Sequence, residues 1–96
     1  MYSTVEDLTV NYEEEGTLKV KELDMEILSK GAWATVLYRY QDWNPDKNDY
    51  GPEKYSIRRY KKSHGEYRQF SKFNISSPDQ ARKIINALEN WLPKED

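Results

Sequence analysis

Cysteine is absent from this 96-residue chain, and histidine occurs once, at His64. The first absence excludes disulfides and thiolate metal sites; the second excludes a histidine metal cluster. Glycine and proline are sparse, four of each, and Gly16, Gly31, Gly51 and Gly65 are too scattered to form a phosphate-cradling loop. No apolar run approaches the length that crosses a bilayer, and the polar start Met1-Tyr2-Ser3-Thr4-Val5-Glu6-Asp7 lacks the pattern of a signal peptide. The simplest expectation is an intracellular protein with no membrane association, cytoplasmic or nucleoid-associated. Apolar residues are also scarce, at 36%. Length and composition therefore allow a single domain, 1–96, with one modest core that an oligomer would help to cover.

Charge is what the chain has in quantity, and it is unevenly spread. Residues 1–29 hold two lysines against eight acids, a net of −6. Residues 30–83 hold twelve lysines or arginines against six acids, a net of +6, and residues 84–96 contribute −2. The total of −2 thus conceals a basic middle, and the local field matters more than the sum for an anionic ligand. Pairing of acids with bases across neighbouring strands is the competing reading.

The clearest element lies near the C-terminus. Ala81, Ile84, Ile85, Leu88, Trp91 and Leu92 form one apolar stripe at helical spacing. Ser77 is placed to cap this helix, Pro78 suits its first position, Gln80 completes a capping box and Pro93 ends it. The stripe is expected to pack on a sheet face. Its late residues Ile85, Leu88, Trp91 and Leu92 leave apolar surface suited to a dimer interface.

Upstream, Lys54 to Lys61 and Tyr67 to Ile75 are rich in aromatic and β-branched residues and contain no proline. Ser63-His64-Gly65-Glu66 joins them as a turn in which Gly65 is free to take a positive φ. Alternation sends Ile57 and Arg59 to one face of this hairpin and Arg58 and Tyr60 to the other. Ala32 to Gln41 is apolar on both sides and reads as a central strand. Thr17 to Leu28 alternates as a strand with a break in phase near Asp24, although a helix competes there. Leu8 to Tyr12 suggests one more short strand, Glu13-Glu14-Glu15-Gly16 a turn, and residues 1–7 a loose start. Trp43 to Pro52 is the main loop. The order implies an α+β domain: a curved four-stranded antiparallel sheet, with a possible extra N-terminal strand, followed by one C-terminal helix.

These parts do not assemble into an enzyme. His64 sits in a turn, the serines lack a nucleophile-elbow context, and an acidic run such as Glu13-Glu14-Glu15 is usually a solvated face. No catalytic residue, metal site or cofactor is expected. A more informative group is Arg58, Arg59, Tyr60, Lys61, Lys62, Arg68, Phe70 and Lys72 in one hairpin, with Tyr38, Arg39 and Tyr40 on the preceding strand. Cationic grooves with aromatic platforms hold unpaired nucleic acid, each stacked base contributing about 1–3 kcal/mol. Arg39, Tyr40, Arg58, Tyr60, Lys61, Arg68, Phe70 and Lys72 are accordingly the candidate binding residues. The competing reading makes the rings ordinary strand residues packed beneath the helix.

Three stretches carry a family resemblance: Glu26-Ile27-Leu28-Ser29-Lys30-Gly31-Ala32-Trp33-Ala34-Thr35-Val36, then Ile57-Arg58-Arg59-Tyr60, then Gly65-Glu66-Tyr67 leading through Lys72 to Ser77-Pro78-Asp79-Gln80. Over Leu23 to Leu92, within a core spanning 17–92, the chain resembles the DNA-binding domain of the positive cofactor four family of transcriptional coactivators. The resemblance implies a curved four-stranded sheet and a helix, a homodimer formed through helix and sheet, and channels for single-stranded DNA read with little sequence preference. It places Arg58 at a DNA-contacting strand arginine and Lys72 at a last-strand lysine. Lys61 stands where the family has a stacking tryptophan, Ser71 replaces a cation, and the loop from Gln41 to Glu53 is longer than the family's turn. The expected function is non-enzymatic binding of single-stranded DNA or RNA in transcription or DNA metabolism, with transcription or replication proteins as further partners. The alternative is a protein-interaction module of the same fold, using its acidic N-terminal half.

Overall fold

The computed structural model describes residues 2–94. The chain forms a short 3-10 turn (Val5–Asp7), then β1 (Tyr12–Glu14), β2 (Thr17–Ser29), β3 (Trp33–Asn44), β4 (Asp49–Tyr50), β5 (Lys54–Ser63), β6 (Glu66–Ile75) and α1 (Pro78–Trp91). The strands run antiparallel in the order β1-β2-β3-β5-β6, with β4 paired to the end of β3 that extends beyond β5. An α+β fold with a curled antiparallel sheet and one C-terminal helix is thus present. Thr17 to Leu28 is strand rather than helix, and its phase breaks at a register shift between Glu22 and Asp24. The expected main loop is itself a small hairpin, Trp43 and Asn44 pairing with Tyr50 and Asp49.

Two-residue turns join β1 to β2 and β5 to β6. Glu15 and Gly16 have φ of 51° and 79°, and His64 and Gly65 have 53° and 78°. Positive φ at both central residues is the type I′ geometry, whose twist matches the flanking strands. His64 is therefore a turn residue in a left-handed conformation. The extra strand is Tyr12–Glu14, displaced from the expected Leu8 to Tyr12, because the turn occupies only Glu15 and Gly16.

The largest departure concerns the start of the chain. Val5 of the expected loose segment, with Leu8 and Val10 of the expected first strand, instead lies in an arm that crosses one face of the sheet and completes the core. Val5, Leu8 and Val10 are buried among Ala34, Val36, Tyr38, Tyr40, Tyr60 and Tyr67. Burying each of these three aliphatic side chains contributes about 1.5–3 kcal/mol as an upper figure. Polar contacts fix the crossing at both ends. Tyr67 N donates to Tyr2 O at 2.7 Å, and Glu22 Oε1 accepts from Thr9 Oγ1 at 2.7 Å and from Val10 N at 3.2 Å. Met1 lies outside the described residues.

This arm takes the place that the helix was expected to fill. Even-numbered β3 residues face the arm; odd-numbered ones face away, so both sides of β3 are apolar but only one is covered. The helix follows β6 after only Ser76 and Ser77, and none of its residues is buried. Its stripe does not lie on its own sheet: Ile85, Leu88 and Trp91, and Leu92 just beyond it, are exposed. The N-cap is as read, Ser77 Oγ accepting from Gln80 N at 3.1 Å. Gln80 Oε1, however, accepts from Ser76 N at 2.6 Å, one residue before the cap, so the reciprocal bond is shifted from the expected box.

Candidate nucleic-acid interface

Directly paired residues in a sheet share a face, so the register sorts the candidate residues. Arg58 pairs with Val36 on β3 and Lys72 on β6, and Tyr60 with Ala34 and Gln69. These belong to the face crossed by the arm, termed the inner face. Lys61 pairs with Trp33 and Arg68, Arg59 with Thr35 and Ser71, and Ile57 with Leu37 and Phe73, on the outer face. A bulge beside Arg59 and Tyr60 changes the phase of β6. Phe70 consequently packs on outer-face Trp33, while Lys72, two residues on, is inner. The eight candidates therefore do not make one surface.

On the inner face, Arg58 is half-buried and held by neutral groups. Its Nε donates to Ser56 Oγ at 3.3 Å and its Nη1 to Gln69 Oε1 at 3.0 Å. Ser56, itself buried, donates to Asn74 Oδ1 at 2.7 Å. Among the described residues neither Arg58 nor Lys72 makes a salt bridge with a carboxylate. The guanidinium is oriented without being neutralised, and an exposed lysine stands beside it. Such a pair suits a bidentate contact and a point charge on adjacent phosphates.

The two inner-face tyrosines among the candidates are packing residues. Tyr40 and Tyr60 are buried, and Tyr60 Oη lies 3.0 Å from Tyr38 Oη. Burial raises the hydroxyl pKa of both Tyr38 and Tyr60; the bond to Tyr60 adds to the rise at Tyr38, and Arg58 opposes it at both rings. The rings thus lie beneath the arm and offer no stacking surface.

On the outer face, Arg39 is engaged. Its Nη1 donates to Glu53 Oε1 at 3.0 Å, which raises the guanidinium pKa, and Asp24 lies at 3.9 Å. Asp24, Glu26, Leu37, Arg39 and Tyr55 border a depression of about 210 Å³ whose acidic rim does not suit an anion. Toward the β5–β6 turn the character changes. Lys61, Arg68 and Phe70 are exposed there beside Trp33 and Arg59, two residues outside the candidate set. Strand alternation already placed Arg59 opposite Arg58; the nearness of Trp33 depends on β3–β5 pairing, which no local pattern reveals.

Among the described residues no group of three or more His, Cys, Asp or Glu side chains is placed to hold a metal ion, and no helix is long and apolar enough to cross a membrane. What the fold defines is a small α+β domain with a cationic late hairpin and an uncovered helix. No family model, curated protein or solved structure matches the chain.

Proposed function

We propose that this chain is a non-enzymatic, homodimeric binder of single-stranded DNA or RNA with little sequence preference, acting in transcription or DNA metabolism. The observation that carries the reading is Arg58, aligned by Ser56 and Gln69, without a salt bridge among the described residues and next to Lys72. Its bonds to Ser56 and Gln69 fix the guanidinium while leaving its charge for an anionic ligand. The resemblance to positive cofactor four domains points to the same two residues.

The dimer is supported by the helix. Fourteen residues form a helix that is marginal by itself in water, and this one keeps its stripe exposed, with Trp91 79% accessible. The outer sheet face also leaves Phe73 half exposed beside partly covered Leu37 and Ile57. Helix of one copy on outer face of the other covers both surfaces at once, and leaves the two inner faces for nucleic acid.

Fluorescence anisotropy with a labelled oligothymidylate tests the reading. Binding at low salt is expected to weaken with added salt, the log–log slope changing by about 0.7 per phosphate contact. Arg58→Ala with Lys72→Ala is expected to weaken binding by about tenfold or more while the domain stays folded. No binding at low salt, or equal binding by the double variant, refutes it. A monomeric mass by light scattering at micromolar concentration refutes the dimer.

A further inference from the structure

The corner of the outer face nearest the β5–β6 turn carries an aromatic and cationic cluster distinct from Arg58 and Lys72. Phe70 is 63% exposed and meets Trp33 edge to face, ring centroids 4.8 Å apart at 88°. Arg59 Cζ lies 4.6 Å and Lys61 Nζ 5.3 Å from the Trp33 ring centroid. Neither Arg59 nor Lys61 makes a salt bridge among the described residues, and Arg68, with a side chain 73% exposed, reaches Glu66 only at 4.0 Å. The geometry points to a nucleobase-stacking site here: Phe70 is the platform, Trp33 its backing, and Arg59, Lys61 and Arg68 the donors to flanking phosphates.

Trp33 is the support because its ring already has Arg59 and Lys61 within cation–π distance, whereas Phe70 stands open. Edge-to-face contact fixes the orientation of Phe70 and lowers the entropy lost when a base stacks on it. A seam between two copies does not suit this corner. It would have to desolvate Arg59 and Lys61, which have no carboxylate partner among the described residues, and that is costly, whereas a polyanion supplies the missing charge. The location also connects it to the inner face. β6 is the sheet edge, and the bulge puts Phe70 outside and Lys72 inside within two residues. A strand resting on Arg58 and Lys72 can therefore cross this edge and stack a base on Phe70. The inference rests on the single-strand reading above and names its second contact.

The test compares the intact chain with Phe70→Ala and Phe70→Trp, titrated into a labelled oligothymidylate and an abasic oligonucleotide of equal length. Phe70→Ala is expected to weaken the base-bearing strand about fivefold or more, to leave the abasic strand unchanged, and to be rescued by Phe70→Trp. Wild-type affinity of Phe70→Ala for the thymidylate overturns the stacking site and leaves the Arg58 reading intact. Equal losses on both oligonucleotides, or a fall in molar mass of Phe70→Ala by light scattering, also overturn it by assigning Phe70 to the fold or to self-association. A wild-type chain that binds neither oligonucleotide overturns both readings. Phe70 is exposed, so both variants are expected to fold, and thermal melts check this.

Discussion

Replacing Leu8 by alanine is expected to destabilise the domain more than any truncation in the helix stripe. Leu8 is 2% exposed and lies in an irregular segment, packed with Val5 and Val10 over Val36, Tyr38 and Tyr60. Buried Leu→Ala changes cost about 2–5 kcal/mol, the spread reflecting how far the surroundings close over the lost atoms. The arm has no strand partner at Leu8 but is held close by through Glu22, so partial closure and a loss of about 3 kcal/mol are expected. A domain of this length has roughly 5–14 kcal/mol in total, so that loss is a large share of it. With each kcal/mol moving the midpoint by roughly 4–8 °C, Tm should fall by roughly 12–24 °C. Urea and thermal unfolding followed by circular dichroism measure it, with an unchanged m value. Leu88→Ala is the control: half exposed in one chain, it should cost about 1 kcal/mol or less there, with any larger effect depending on protein concentration. A loss below about 1 kcal/mol for Leu8→Ala refutes the claim that the arm completes the core.

Further outcomes follow from the tyrosine pair, the helix cap and the cationic faces. Tyr38→Phe leaves the buried Tyr60 hydroxyl without its partner and should cost about 1–3 kcal/mol, the double change to Phe costing less than the two singles together. Burial holds both hydroxyls protonated beyond the ordinary tyrosine value of about 10, so the unfolded chain loses these protons first as pH rises. The contribution of this pair is therefore full below about pH 10 and is lost above it; melts at alkaline pH alongside tyrosinate absorbance check this, and a Tm that is unchanged across that range contradicts it. Ser77→Ala should cost about 0.5–2 kcal/mol through loss of the cap, read as reduced helicity and Tm. Arg39→Ala should leave oligonucleotide affinity little changed, because Glu53 and Asp24 already occupy that guanidinium; a loss matching that of Arg58→Ala contradicts the assignment of faces.

Where structure follows local period and turn chemistry, it was legible from residues alone. Ser77-Pro78 and the 81–92 stripe locate the helix, and His64-Gly65 the β5–β6 turn. The arm was not legible. Leu8, Val10 and Tyr12 alternate as a strand would and Val5 fits no period, so no local pattern shows that these residues are buried by the sheet face assembled from β2, β3, β5 and β6. The helix stripe was read correctly as apolar and wrongly as covered, since amphipathicity shows that a partner is needed but not which one. The candidate interface was legible in composition and not in geometry. Alternation separates Arg58 from Arg59 in β5, but the bulge in β6 breaks the same rule, so Lys72 and Phe70, an even spacing apart, point to opposite faces. Of the neutral acceptors on Arg58, Ser56 shares its face by alternation along β5, whereas Gln69 on β6 is brought there by a register that no local pattern reveals.

Isotope-edited NMR of the Arg58 side-chain Nε–H group during titration with unlabelled oligothymidylate at low salt tests the central claim most directly. The expected result is a saturable shift of that resonance, together with the Gln69 side-chain amide and the Lys72 backbone amide. Saturating oligonucleotide that leaves the Arg58 signal unmoved, or shifts confined to the acidic strands β1 and β2, contradicts it.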